Sequence, residues 1–296
     1  MVSIPESIRG MIIKKCEPDL ECRIVFSGLD SSVAGEIEKE FAKAGYWVFS
    51  NASSHRMDPD VPLVIPELNP GHMDIIACQQ NNRGWSGAIV TNANCSSIVL
   101  ALSIGPLQRT FGLEAVYVVT CQSISGAGYP GVPSLDILGN IVPFIPREEE
   151  KIETETQKIL GGLESGNFQP AEFTVSAQAN RVPVEEGHLE SVSVRLKEKI
   201  SVEEAVDCWQ QFSGAAQKLN LPSAPDQPVV VFSEQDRPQP RLDVWKFGGM
   251  SVFVGRVRPC SLFDFKYVVL GHNTIRGAAG ASLLNAELAV QREMIG

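Results

Sequence analysis

The pentapeptide Thr91-Asn92-Ala93-Asn94-Cys95 stands where an apolar run, Gly87-Ala88-Ile89-Val90, gives way to Ser96-Ser97 and the apolar residues Ile98, Val99, Leu100 and Leu102. The first run reads as a short buried strand, the second as the opening turns of a helix. A cysteine at that junction sits at a helix N-terminus, where backbone N–H groups and the helix dipole favour the nucleophilic thiolate. Cys95 is thus a candidate nucleophile toward a carbonyl, set against the ordinary reading of a buried structural thiol. His188, between Gly187 and Leu189 where a strand opens, is a candidate acid/base. Its ordinary reading is a surface or capping histidine.

Further polar residues bear on the same chemistry. Gln122 follows a strand and precedes the glycine-rich stretch Ser125-Gly126-Ala127-Gly128-Tyr129-Pro130-Gly131, a place where side chains meet ligands. Arg56 lies in a loop after a strand. Arg181 adjoins Val182-Pro183-Val184 and, if partly buried there, needs an anionic partner, either a ligand or an internal ion pair. Glu148 and Lys151, three apart at a helix start, share a face. Taken singly, Gln122, Arg56, Glu148 and Lys151 read as solvated groups.

The elements that must position these residues begin as strand–helix alternation. Arg23–Ser27 and Trp47–Phe49 read as strands, with a helix between them capped by Asp30 or Ser31. Val61–Ile65 is at best an edge strand, because Pro62 has no N–H to donate. This alternation predicts a parallel α/β sheet. After Cys95 a helix to about Leu107 leads to a strand at Val116–Thr120, and Glu148–Leu160 reads as a charged amphipathic helix. Extended segments follow at Phe173–Val182, Leu189–Leu196, Leu242–Phe247, Val252–Val257 and Phe265–Leu270, predicting a mixed or antiparallel sheet. Asn273–Val290 reads as a closing helix. The first 22 residues hold a single glycine, Gly10, so no GxGxxG-type turn precedes Arg23.

Composition narrows the function classes. The chain has 296 residues and is 44% hydrophobic and 20% charged, enough to bury a sizeable core. A net charge of -10 without a basic cluster argues against nucleic acid or an anionic membrane as partner. No apolar run reaches the length of a membrane span, and no signal-peptide core opens the chain. Seven cysteines with no CxxC pair speak against a disulfide framework or a structural metal site, and for a reducing cytoplasm.

Together the segments resemble the aspartate-β-semialdehyde dehydrogenases, in particular the archaeal and fungal branch. The resemblance covers nearly the whole chain. It rests on Ser27-Gly28-Leu29-Asp30, Ser50 through Met57, Thr91 through Cys95, Gln122 through Gly128 and Glu148 through Lys151. It continues through Asn180 to Val184 with Gly187-His188, Asp236 through Arg241, and His272 through Ala279. No single match suffices; the ordered set is specific.

The resemblance implies reductive dephosphorylation of aspartyl phosphate to aspartate semialdehyde, with NADP as cofactor, at a branch point toward lysine, threonine, methionine and isoleucine. By matching motifs, Cys95 forms a thioester, His188 is the acid/base and Gln122 orients the acyl group. Arg181 binds the substrate carboxylate, Glu148 the amine, and Arg56 with Lys151 the phosphate. Gly28, Ser125, Gly126, Gly128 and Asn273 meet the cofactor; no metal is implied. The fold expected is an incomplete Rossmann-like nucleotide-binding domain, residues 1–94 and 273–296, plus an α+β catalytic and dimerisation domain, 95–272. Homodimers or homotetramers are expected.

The chain departs from the family pattern at its start. Members begin with a strand, a Gly-Ala-Thr-Gly-type turn, a helix and a segment that reads the 2′-phosphate. This sequence is expected to be N-terminally shortened, to expose a sheet edge, and to bind NADP weakly or not at all. Ala93 stands where the family usually has proline, which loosens the loop beside the nucleophile. Two other readings stay open: a catalytically silent variant serving as an assembly subunit, and an N-acetylglutamyl-phosphate reductase, which Glu148 and Asp236–Arg241 oppose.

Overall fold

After a single turn, α1 (Glu6–Arg9), three short apolar segments alternate with helices in the computed structural model, which describes residues 4–295. They run β1 (Ile24–Ser27), α2 (Ser31–Lys43), β2 (Trp47–Ser50), α3 (Ile76–Arg83) and β3 (Ala88–Thr91). The strands pair in parallel, in the order β1-β2-β3. β2 and β3 are buried at every residue, as parallel strands covered on both faces are. Val48 and Ile89 pack with Phe41 and Ala42 of α2. Trp47, Phe49, Ala88 and Val90 point the other way, into a cluster with Leu284 and Leu288. Asp30 caps α2 by accepting the Ser32 N–H. Among the described residues no strand pairs with the outer edge of β1, and Phe26 there is 51% exposed.

Cys95 opens α4 (Cys95–Phe111), which is buried from Ser96 to Leu107. The helix continues past the expected Leu107, carries Pro106 inside it, and ends where Gly112 takes φ +69°. There follow β4 (Leu113–Gln122), α5 (Ser134–Ile137), α6 (Glu148–Leu160), the hairpin β5 (Gly162–Glu164) and β6 (Asn167–Gln169), β7 (Thr174–Arg181) and β8 (His188–Leu196). The chain continues through α7 (Val202–Gln210), α8 (Ala215–Lys218), β9 (Val229–Val231), α9 (Pro240–Asp243), β10 (Val252–Pro259), β11 (Phe265–Gly271) and α10 (Gly280–Gln291). Six strands form one mixed sheet in the order β7-β4-β8-β11-β10-β9. The β4–β7 and β9–β10 pairs are parallel and the others antiparallel. α4, α6 and α7 pack together, and α4 lies against a face of that sheet. No helix among the described residues is long and apolar enough to cross a membrane.

Local chemistry explains where the structure departs from expectation. Leu242–Phe247 is not extended. Pro240 starts α9, Asp243 accepts from Gln239 N and pairs with Arg237 and Lys246, and positive φ at Phe247, Gly248 and Gly249 turns the chain. Val61–Ile65 makes one bridge, Leu63 to Thr91, and Pro62 contributes only its carbonyl, to the Thr91 N–H and hydroxyl. The closing helix begins as a π-helical turn, Ile275–Ala279, before α10.

β8 also buries Glu190 completely, and neither of its carboxylate oxygens has a hydrogen-bond partner among the described residues. Burial, then the Glu148 carboxylate, push its carboxyl well above the ordinary value. An acid raised in the folded state adds stability that is complete below its unfolded value and lost as pH rises through the folded one. Glu190→Gln removes that loss. The melting-temperature difference between variant and parent is expected to grow in favour of the variant from pH 5 to pH 8. A difference independent of pH would show the carboxyl to be ionised and partnered.

Candidate active site

The mixed sheet gathers the chemistry at one end. Gln122 and Arg181 are register partners at the ends of the parallel strands β4 and β7. β8 runs antiparallel to β4 and begins at His188, which pairs with Gly271 at the end of β11. His272 and Asn273 follow directly. α4 presents Cys95 to that end from its first position. Asn94 is the N-cap, and its side-chain oxygen accepts the N–H groups of Ser96 and Ser97.

Cys95 Sγ lies 3.1 Å from His188 Nε2. His188 Nδ1 is 3.2 Å from the Ser123 backbone nitrogen, which can only donate. Nδ1 therefore accepts, and the neutral imidazole carries its proton on Nε2, facing the sulfur. Burial first, then Glu148, push the Cys95 thiol up to about 12, although Arg56, the Ser96 N–H and Arg181 pull it down. Burial, then Arg181, lower His188 to about 3. The pair is neutral, thiol and imidazole, at physiological pH. The helix N-terminus alone would favour the thiolate, but here desolvation and a carboxylate outweigh the N-terminal amides.

Two carboxylates of α6 organise the surroundings. Glu148 is 5% exposed. Its Oε1 accepts from Asn94 Nδ2 and Gln122 Nε2, both at 2.9 Å, and Lys151 Nζ is 3.5 Å from Oε2. Glu155, also buried, accepts Arg56 Nη1 at 3.0 Å. Arg56 Nη2 donates to Asn51 O at 2.7 Å, whereas its buried Nε has no partner among the described residues. Arg181 Nη1 donates to Ser123 O at 2.7 Å.

A cleft of about 540 Å³ is lined by Cys95, Arg56, Arg181, Glu148, Lys151, Ser125, Gly126, Gly128 and Asn273 among others. His188 and Gln122 stand behind this wall, through their bonds to Cys95 and Glu148. Gly28 is not brought to the cleft; it borders a separate groove with Phe26, Leu29 and residues near the start of the chain. Asn273 ties the site together. Its Oδ1 accepts from Gly187 N at 2.8 Å and Ser123 Oγ at 3.1 Å, and its Nδ2 donates to Ser125 Oγ at 2.9 Å. Gly126 is required sterically, since a Cβ there would come 2.7 Å from His188 and 2.9 Å from Arg181.

Sequence reasoning missed Glu155, Ser123 and Gly277. Glu155 had a signal: with Glu148 and Lys151 it falls on one helical stripe, seven residues from the first. Ser123 acts through its backbone and Gly277 through the absence of a side chain, and neither leaves a pattern to read. Three cations, Arg56, Lys151 and Arg181, line the cleft together with Glu148 and Cys95. That arrangement suits a small ligand carrying an amine and more than one anionic group.

The semialdehyde dehydrogenase NAD-binding domain model matches residues 2–76, and the semialdehyde dehydrogenase dimerisation domain model matches residues 104–276. The chain is 52% identical to the aspartate-semialdehyde dehydrogenase of Methanothermobacter thermautotrophicus over 289 residues, covering 96% of this chain and 83% of that one. It is 48% identical to that of Archaeoglobus fulgidus over 293 residues, 99% of this chain and 84% of the relative. Its fold superposes on a crystal structure of aspartate semialdehyde dehydrogenase with NADP from Candida albicans with a TM-score of 0.91 and 45% identity, covering 99% of this chain and 86% of the other.

The contact of Gly277 with the nucleophile is directly testable. A Cβ at 277 would lie 2.5 Å from Cys95 Cβ and 3.0 Å from its Cα. Gly277→Ala is expected to push Cys95 off His188 and to slow any reaction that uses the thiol by about 100-fold, as misplacement of reacting groups by an ångström does. Turnover close to that of the parent would show that α4 gives way instead.

Proposed function

This chain belongs to the aspartate-semialdehyde dehydrogenase family of NADP-dependent oxidoreductases, and on that premise we propose how its residues divide the reaction. Cys95 is the nucleophile, His188 the acid/base, and Gln122 orients the acyl group. Arg181 holds the substrate carboxylate, Glu148 the amine, and Arg56 with Lys151 the phosphate. The observation that carries this reading is the 3.1 Å approach of Cys95 to His188 at a cleft bordered by three cations and one buried carboxylate.

In the oxidative direction the thiol of Cys95 adds to the aldehyde carbon. As the C–S bond forms, His188 gives its Nε2 proton to the carbonyl oxygen and Nε2 takes the thiol proton in exchange, so the neutral pair yields a neutral hemithioacetal. Because the resting pair is neutral, this transfer requires the thiol to become more acidic as the substrate binds. The substrate's ammonium against Glu148 supplies the means, since it offsets the carboxylate that raises Cys95. NADP, when bound, would supply the hydride acceptor, and the hydroxyl proton is released to solvent in the same oxidation, which leaves a thioester on Cys95. Phosphate held by Arg56 and Lys151 then attacks the thioester carbon, the C–S bond breaks, and the thiolate leaves to be reprotonated. The reductive direction reverses each step.

The cleft fits the nicotinamide end of the cofactor. Ser125 to Gly128 present backbone there, with Gly128 at φ +69° and no room for a Cβ at Gly126. The pyrophosphate end has less. The turn after β1 leads into α2, whose N-terminus is already capped by the Asp30 carboxylate, an anion where phosphate would need donors. The expectation of weakened NADP binding rests on this cap and on the edge of β1, which no strand pairs among the described residues. The family match over residues 2–76 lends that reading, and catalytic silence, no support. The relatives' names likewise lend none to the acetylglutamyl substrate.

We place residues 1–94 and 273–296 in the nucleotide-binding part and 95–272 in the catalytic and dimerisation part, which carries exposed Leu135, Leu138 and Phe144 for contact with a second copy. All seven cysteines are free, as suits a reducing cytoplasm.

The decisive assay is phosphate-dependent NADPH formation from aspartate semialdehyde. Cys95→Ser is expected to lose on the order of 10⁴-fold or more, and His188→Asn on the order of 10²- to 10⁴-fold. Activity surviving in Cys95→Ser would overturn the assignment. In a parallel calorimetric titration, saturable NADP binding in the micromolar range would dismiss weakened binding, and no saturation by millimolar NADP would establish it.

A further inference from the structure

Glu155 is used by no step above, yet it is 2% exposed and both its oxygens are taken. Oε2 accepts the backbone N–H of Asn94, the residue before the nucleophile, at 2.5 Å. Oε1 accepts Arg56 Nη1 at 3.0 Å. We propose that Glu155 is a positioning residue that fixes the nucleophile's backbone and the Arg56 guanidinium to each other, so that one carboxylate sets both the reactivity of Cys95 and the seat of the phosphate. The phosphate part rests on the reading of Arg56 given above.

The surroundings agree. With Nη1 on Glu155 and Nη2 on Asn51 O, the guanidinium is held so that its remaining buried donor, Nε, is the one without a partner. One turn further along α6, Lys158 Nζ donates to the carbonyls of Arg56 at 2.7 Å, Asp58 at 3.0 Å and Val61 at 2.9 Å. α6 thus grips the Arg56 loop by side chain and backbone, and Glu155 extends that grip to the backbone beside the nucleophile. A glutamine in its place has one acceptor oxygen, and its NH₂ would face a donor, so one of the two links must break. The group it acts on, Cys95, is faced by Glu148 from α6, Arg56 from its loop and Arg181 from β7, with His188 from β8 in contact. Removing the Glu155 charge leaves Arg56 less compensated, which favours the thiolate.

The test compares the full-length parent with Glu155→Gln and Glu155→Asp. Alkylation of Cys95 by iodoacetamide, followed on the Cys95 peptide by mass spectrometry from pH 6 to pH 10, needs neither cofactor nor turnover. Lys158, lowered by burial to about 8 and held up in part by Glu155, titrates in that range, and Glu155→Asp, which keeps the charge, controls for it. Because the thiol titrates above that range, the readout is the alkylation rate at each pH, and in Glu155→Gln it is expected to rise about threefold or more throughout, as a fall of about 0.5 pH in the thiol's titration gives. Its KM for phosphate is expected to rise about tenfold, with KM for the semialdehyde within about twofold, as loss of one charge-assisted link predicts. Should Glu155→Gln not fold, Glu155→Asp decides. It keeps the charge but shortens the reach, so it should retain the parental profile with a raised phosphate KM. A folded variant with the parental profile and parental phosphate KM, in an active enzyme, overturns the proposal. A raised alkylation rate in chains that never turn over the semialdehyde supports Glu155 and sinks the functional reading instead.

Discussion

A carboxylate taken out of water must find donors, and α6 carries two, Glu148 and Glu155, seven residues apart on one face. Meeting that need assembles the site. Glu148 draws in the side chains of Asn94 and Gln122, and Glu155 draws in the backbone of Asn94 and the guanidinium of Arg56. These donors come from the loop before α4, the end of β4 and the loop after β2. The two desolvated acids thus join the nucleophile loop, the mixed sheet and the Arg56 loop. Lys151 and Lys158 alternate with the acids along the same stripe, so the helix face that looks merely charged in sequence is largely buried in the fold.

The same desolvation decides the resting proton state. A cysteine at a helix N-terminus would ordinarily drift toward the thiolate, but here low polarity and Glu148 act against it, and His188 is too dry to become cationic. The thiol is consequently guarded from chance electrophiles until a ligand changes the charge around it. The Ser123 amide adds a directional constraint, because it fixes which imidazole nitrogen carries the proton. Asn273 secures that constraint by bridging Ser123, Ser125 and Gly187.

Much of this was legible in the residues. The strand-to-helix junction at Cys95, the glycine-rich turn, the Glu148–Leu160 helix and the mixed second sheet follow from period, capping and punctuation, all short-range signals. What was not legible depends on distant packing. Leu242–Phe247 has an apolar pattern that suits a strand, and only the ion pairs around Asp243 and the positive φ values after it bend it into a turn. The cysteine's proton affinity was read from its helix position alone, because burial and the approach of Glu148 are long-range facts. Gly28 was grouped with the cofactor contacts by motif, and the fold sets it in another groove.

α4 threads the interior with twelve consecutive buried residues, Ser96 to Leu107, against the sheet, α6 and α7. Its amides have no route to solvent by local fraying; they can exchange with deuterium only when the packed unit around them opens as a whole. The helix that carries the nucleophile is therefore one of the slow clocks among the described residues, and the single turn of α1, which buries no residue, is one of the fast ones.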